Sequence, residues 1–458
     1  MSSFFPTAAR SMLSRRTLLG AGLGLGAWHG LGNMITSLVH GANSIPGRKP
    51  IKSCIVLFYY GGPSHIDTVD MKPNAPKEVR GNYQPIATNA PGIQVCEHLP
   101  LCARIMDKVS IIRSMHHPMT NHNAAVVEAL CGRTPVKGDL ELLANDPMVD
   151  FPCYGSAADF LLPRHKTIPT HIALPHVMYN VVVLPGQYAG FLGVAHNPLQ
   201  LTRDPNSPNF QVDELALPVD TPQKRLLVRE NLLTTLEGSK QAGKASAGDS
   251  MRTYQQRAFR MLQSEEMRVA WEIGQEKPET RERYGRHTLG QSLLLARRLV
   301  EAGVRFINVN DKIHNGQDAN WDSHSSVYPR MTDHLLPPSD QAYSALIEDL
   351  HERGLLETTL VVGMGEFGRT PKINASAGRD HWPNCYSVWL AGGGITGGQT
   401  YGTSDKIGAY PDTSPVKPGD LAATIFWRFG IDPHTLLKDG LGRPHALAEG
   451  EPLTTLFG

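Results

Sequence analysis

Leu289–Val309 reads LGQSLLLARRLVEAGVRFINV. Its first fourteen residues carry an apolar repeat at helical spacing, and Gly303 supplies the stop. Val304–Val309 follows at once as a short apolar run, the pattern of a buried strand. A helix that runs straight into a buried strand is the unit of a layered α/β fold. The same grammar recurs outward from this stretch. Asp340–Arg353 predicts a helix ended by Gly354, and Thr358–Gly363 (TTLVVG) a strand behind it. Upstream, Lys52–Tyr60 (KSCIVLFYY) is a continuous apolar run stopped by Gly61-Gly62-Pro63. Val109–Arg113 (VSIIR) predicts another strand, and Asn123–Leu130 (NAAVVEAL) a helix closed by Gly132. Tyr386–Ala391 (YSVWLA) adds a strand before the glycine-rich turn 392–398, expected to lead into a hairpin-like segment, and Asp420–Phe429 a late helix. The alternation predicts a doubly wound, mostly parallel sheet with helices on both faces.

The chain has 458 residues, 41% hydrophobic and 19% charged, which excludes a disordered or coiled-coil protein. Lys+Arg 44 against Asp+Glu 43 leaves +1, so no bulk field points to nucleic acid or to an anionic membrane. Ser14-Arg15-Arg16-Thr17-Leu18-Leu19 precedes the glycine-rich apolar stretch 20–28, the pattern of a twin-arginine export signal. That stretch is too short for a membrane span. Residues 1–45 are therefore read as signal and leader, with the twin-arginine translocase as partner during export and the periplasm or cell surface as destination. Residues 46–458 are read as one domain with an irregular insertion at about 137–250. The insertion holds a possible strand at Val177–Leu184 and a linker near 238–250; Met251–Glu276 beyond it predicts a long helix. None of the six cysteines forms a CxxC, which excludes zinc-ribbon and thioredoxin motifs. An exported protein could carry disulfides, but no pairing follows from the sequence; Cys54 and Cys131 read as core. No Cys-x-x-Cys-His occurs and no GxGxxG follows the first strand, which argues against haem and dinucleotide roles.

Ligands in open α/β sheets bind beyond the carboxyl ends of the strands. Those ends deliver His65 and Asp67 after the first strand, His116, His117 and His122 after the second, and Asp322 and His324 after the third. Glu366 and Arg369, then Asp380 and His381, follow the fourth. Carboxylates and imidazoles without cysteine suit a catalytic Zn²⁺, Ca²⁺, Mn²⁺ or Fe site rather than a structural zinc cage.

Several of these stretches resemble a known family. Gly61-Gly62-Pro63-Ser64-His65-Ile66-Asp67-Thr68, Tyr284-Gly285, the run Ala296–Arg305, Trp321-Asp322-Ser323-His324, Glu366-Phe367-Gly368-Arg369-Thr370-Pro371 and Gly378-Arg379-Asp380-His381-Trp382 look like the exported "domain of unknown function 1501" proteins. These are a sulfatase-like branch of the alkaline phosphatase superfamily, and the match spans 50 to about 440. The resemblance implies hydrolysis of phosphate or sulfate esters, of small molecules or polysaccharides, at a divalent-metal site. It implies that Asp322, His324 and His381 hold one metal. Glu366, with His122 or His65, would hold a second metal or the substrate anion, and Asp67 stands nearest to the aspartate that the superfamily places after its first strand. Arg369 would neutralise a phosphate or sulfate oxygen. The superfamily hydroxyl or formylglycine nucleophile is missing: ten residues before Gly132 stands His122, and no Cys-x-Pro-x-Arg occurs. Attack would then come from metal-activated water or from His122. The competing class is a non-catalytic binding or scaffold protein on the same fold.

Overall fold

The computed structural model describes residues 49–165, 167–212, 264–311 and 320–458. The twin-arginine segment, the 238–250 linker and the first half of the 251–276 helix lie outside them. Eight strands form the central sheet: β1 (Ser53–Phe58), β2 (Val109–Met115), β3 (His171–Leu174), β4 (Leu199–Gln200), β5 (Phe306–Asn310), β6 (Thr359–Met364), β7 (Tyr386–Gly392) and β8 (Gln399–Tyr401). Their order is β8-β2-β7-β6-β1-β5-β3-β4. The apolar β1 lies in the interior, parallel to β6 on one side and β5 on the other. β3 continues the parallel set beside β5, and β4 beside β3. Only β7 runs against its neighbours β6 and β2.

Among the described residues, seven helices of seven or more residues cover the two faces: α1 (His122–Cys131), α2 (Tyr154–Leu161), α3 (Glu265–Trp271), α4 (Pro278–Tyr284), α5 (Thr288–Glu301), α6 (Leu336–Glu352) and α7 (Pro418–Arg428). Alternate side chains of β1 enter different cores, as strand pleating requires. Ile55 and Leu57 pack with Leu293, Leu299 and Leu346 of α5 and α6. Val56 and Phe58 pack with Leu130, Tyr154 and Phe426 of α1, α2 and α7. The doubly wound architecture follows. Buried Arg297 of α5 joins Asp349 of α6 at 2.9 Å and Glu301 at 2.6 Å, so the one charged residue that α5 places fully inside is paired.

The structure departs from the sequence expectation at three segments and adds short elements that the sequence did not announce. Val177–Leu184 is no strand of the sheet. It folds as a two-residue hairpin, Tyr179–Asn180 against Val182–Val183, with Val181 at φ 62. Gln399–Tyr401 is no hairpin partner of β7 but the edge strand β8, parallel to β2. Within 265–276 the long helix is α3 followed by a short 3-10 turn, Ile273–Gln275. β3, β4, α2 and α4 were not read from the sequence; each is short and bordered by proline or glycine, which hides its period. All six cysteines are buried and free.

His171 on β3 is 4% exposed, with its ring edge-on to Phe306. Burial pushes its pKa down from 6.5 to about 4, so the folded protein holds it neutral. The unfolded chain binds more protons at this position between those two values, so its contribution lowers stability as the pH falls through the window. Urea unfolding at stepped pH should show wild type losing stability relative to His171→Leu between about 6.5 and 4. A constant difference between the two would contradict this assignment.

Candidate functional site

Four strand ends meet beyond β1. Gly61 and Gly62 leave β1 with φ of 107° and 75°. A Cβ at Gly61 would collide with the Asp322 amide, and one at Gly62 with Phe367. This close approach lets the Gly61 N–H donate to Glu366 Oε1 at 2.9 Å and the Trp321 N–H to the Tyr60 carbonyl at 3.0 Å. The segments after β5 and β6 are thereby fixed against the end of β1.

The loop after β2 brings in α1. Its N-cap residue, Asn121, makes no side-chain capping bond. The Asp139 carboxylate, from the insertion, accepts the Thr120 and Asn121 N–H groups at 3.0 Å each and the Thr120 hydroxyl at 2.5 Å. A carboxylate there also suits the positive end of the helix. His122 is the first residue of α1 and 6% exposed. Its Nδ1 lies 2.6 Å from Glu366 Oε1 and its Nε2 3.3 Å from Asp322 Oδ2. Burial pulls its pKa down, but the bonds to Asp322 and Glu366 outweigh burial and leave it raised.

Asp322 is the centre. Its Oδ1 lies 2.9 Å from His324 Nε2, 3.1 Å from His381 Nε2 and 2.7 Å from Arg369 Nη2. Burial works to raise its pKa; the bonds from the three histidines and the Arg369 charge hold it well below the usual carboxylate range. The two imidazole Nε2 atoms are 3.0 Å apart. Their other nitrogens face acceptors: His324 Nδ1 meets Asp380 Oδ1 at 2.7 Å, and His381 Nδ1 meets the Thr120 carbonyl at 2.7 Å. Those partners assign the proton to Nδ1 in both rings, which leaves the two Nε2 lone pairs and a carboxylate oxygen in a triangle with edges of 2.9, 3.1 and 3.0 Å. Three acceptors this close need a positive charge among them. One source is a second proton on His324, whose pKa the Asp322 bond raises. Burial pushes His381 the other way, to about 4. The other source is a divalent cation, since ligands at ~2.0–2.2 Å from such an ion stand about 3 Å from one another. The Nδ1 partners are the carboxylate and carbonyl supports that metal-bound histidines have. His122 borders the triangle: one donor atom from each of His122, Asp322 and His381 lies within 4.8 Å of the others. The residues fit a divalent metal.

The remaining predicted site residues sit around this cluster. Glu366 is fully buried and reaches the cluster through His122; its Oε2 has no hydrogen-bond partner among the described residues. Arg369 is fully buried, and its guanidinium bonds the Gly61, Gly62 and Arg379 carbonyls besides Asp322. It therefore supports the Asp322 carboxylate from behind. The structure does not bring His65 and Asp67 into the cluster. His65 Nε2 bonds the Gly408 carbonyl at 2.8 Å, and Asp67 pairs with Arg379 at 2.7 Å. Of the other two histidines, His117 bonds the Glu366 carbonyl at 2.6 Å through Nε2, while His116 only donates its backbone N–H to Val416. The support from Asp139 and the Thr120 carbonyl was not legible, because it crosses from the insertion to the loop after β2 and has no spacing signal.

A doubly wound α/β domain with a two-histidine, one-carboxylate cluster at its strand ends defines the class. The chain belongs to the family described as protein of unknown function (DUF1501), which matches residues 51–457. Curated proteins gave no match. Among solved structures, it is similar to the PsFucS1 sulfatase from Pseudoalteromonas sp., at 14% identity and a TM-score of 0.37, over 87% of this chain and 71% of that one. It is also similar to alkaline phosphatase from the Antarctic bacterium TAB5, at 12% identity and a TM-score of 0.34, over 83% and 99%. A third is the lipoteichoic acid synthase LtaP from Listeria monocytogenes, at 9% identity and a TM-score of 0.31, over 87% and 78%.

Gly61→Ala tests the close approach. It should lower the unfolding midpoint strongly and abolish divalent-metal binding, measured by calorimetric titration. Gly354→Ala, at φ 67 with nothing within 4 Å of its Cβ, should cost only the left-handed penalty of about 1–2 kcal/mol and leave metal binding intact.

Proposed function

We propose that this protein is an exported, metal-dependent hydrolase of phosphate or sulfate esters. The observation that carries the reading is the Asp322–His324–His381 triangle, three acceptor atoms gathered with their outer nitrogens already supported. These three residues hold the cation. When bound, a divalent cation supplies Lewis-acid polarisation of the ester's non-bridging oxygens. Arg369 keeps Asp322 ionised and oriented. Glu366 accepts the Nδ1 proton of His122 and so aims its Nε2 into the site, the base-and-orienter arrangement of acid–base catalysis. His122 takes a proton from the attacking water at Nε2 and returns it to the leaving oxygen. Asp380 and the Thr120 carbonyl fix the two ligand rings. Export by the twin-arginine route to the periplasm or cell surface rests on Arg15-Arg16 and the glycine-rich stretch behind them. No helix among the described residues is long and apolar enough to cross a membrane.

A second reading, a metal-holding binding protein without turnover, has two observations in its favour. The Thr120 hydroxyl is committed to Asp139 at 2.5 Å, and the Arg369 donors are spent on the protein's own oxygens. Neither group is free for a substrate.

Metal analysis of the purified protein, with hydrolysis of 4-nitrophenyl phosphate and 4-nitrophenyl sulfate in Zn²⁺, Mn²⁺ or Ca²⁺, separates the readings. Asp322→Asn should lose the metal. His122→Gln should keep it and lose about 10²–10⁴ in kcat. Unchanged turnover in His122→Gln would remove the proposed base, and metal binding without hydrolysis of either ester would favour the binding protein.

A further inference from the structure

Asp67 and Arg379 are both fully buried, and neither touches the ligand triangle. Arg379 Nε and Nη2 meet Asp67 Oδ2 and Oδ1 at 2.7 and 3.0 Å, a two-point fork. The remaining guanidinium hydrogens go to the Val79 carbonyl at 2.8 Å, the Thr370 carbonyl at 3.1 Å and the Pro371 carbonyl. All five donors are thus spent. Asp67 is equally full, accepting the Ser64 hydroxyl at 2.6 Å and the Tyr328 hydroxyl at 3.3 Å.

The backbone of Arg379 is what this ion pair holds still. Its N–H donates to the Ser323 carbonyl at 2.8 Å, and its carbonyl accepts Arg369 Nη1 at 3.2 Å. Ser323 stands between the ligands Asp322 and His324. Arg379 stands two residues before the ligand His381 and next to Asp380, which supports His324. Three backbone hydrogen bonds register the two ligand-bearing loops against each other: this one from Arg379 to Ser323, Ser326 N–H to the Ser376 carbonyl at 3.1 Å and Val327 N–H to the Ala377 carbonyl at 2.9 Å; the Arg379 bond is the one that lies between the ligands, and the buried pair anchors one side of it. The neighbouring residue makes the register tight: a Cβ at Gly378 would collide with the His324 carbonyl.

We infer that the Asp67–Arg379 pair is a positioning device that sets the metal affinity of the Asp322–His324–His381 triangle through the Arg379–Ser323 backbone bond. The inference rests on the metal reading of that triangle. Asp67 is then a positioning residue and no ligand. A shift of a few tenths of an ångström between the loops alters two edges of the triangle at once, because Asp322 and His324 lie on one loop and His381 on the other.

The test is a titration of the full-length, metal-free protein with Co²⁺, read by its visible absorption spectrum as well as by affinity. Asp67→Asn removes the charge and keeps the size. It should weaken Co²⁺ binding about 10–100-fold, the range for loss of an outer support of a metal site, and change the band shape. Tyr328→Phe removes only the hydroxyl on Asp67 Oδ1 and should weaken binding a few-fold; it decides the matter if Asp67→Asn does not fold. Asp349→Asn breaks the buried pair with Arg297 in the α5–α6 layer and controls for lost stability. Wild-type affinity in both Asp67→Asn and Tyr328→Phe would overturn the inference, as would an equal loss in Asp349→Asn. Failure of the wild-type protein itself to bind Co²⁺ is a separate result, and it would sink the metal reading instead.

Discussion

The site is organised around a single carboxylate. Asp322 receives its near neighbour His324 together with His381 and Arg369 on one oxygen and His122 on the other, so two sequence-distant segments share one acceptor group with its own loop. The three histidines and Arg369 hold this carboxylate well below the usual carboxylate range, and it is the common partner around which the three imidazoles gather. Remove it and the histidines lose their common partner while Arg369 keeps a positive charge in the interior. The backbone bonds of Gly61, Trp321 and Arg379 would still hold the segments together, but around an uncompensated cluster.

Charge inside the protein is arranged in the same spirit. Arg369 and Arg379 are both fully buried, ten residues apart in sequence, and linked by the bond from Arg369 to the Arg379 carbonyl. Each guanidinium faces one carboxylate and several backbone carbonyls. Taking such a group out of water costs several kcal/mol, and only a full set of partners offsets it. The planar fork of arginine can serve that many acceptors at once, and lysine could not. The result is a rigid frame under the site whose geometry is set by hydrogen bonds rather than by apolar packing. A lone ion pair would contribute little to stability, but a frame of directional bonds specifies where loops stand.

The sheet and the main helices were legible because buried parallel strands and amphipathic helices write strong periods: KSCIVLFYY, TTLVVG and the α5 run each match their observed elements within a few residues. The position of the site beyond the strand ends was legible for the same reason. Asp322, His324, His381 and His122 do come together, with Glu366 behind His122. What could not be read was function divided by geometry. Asp67 and Asp322 are both acidic residues in the loops that follow a strand, yet one meets only a guanidinium and hydroxyls in the interior and the other meets imidazoles as well. Arg369 looked like an anion-binding group because an arginine at a strand end often is one; its buried carbonyl partners come from the end of β1, more than three hundred residues earlier. Short elements such as the Tyr179–Val183 hairpin turn on one left-handed residue, which no apolar period announces.

The glycines explain why these motifs have the form they do. Gly61 and Gly62 are needed where the end of β1 passes under Asp322 and Phe367, and Gly378 where the 378–382 loop passes over His324. At each point two chain segments approach closer than a side chain allows. Each point lies beside a residue of the cluster, not at a remote turn. The cluster spans only about 3 Å between adjacent acceptor atoms, and backbones must come almost into contact to bring side chains from different strands within that span. Alanine at any of these crossings would push the loops apart by more than the triangle can absorb, so close packing of backbone on backbone is the condition on which the ligand geometry rests.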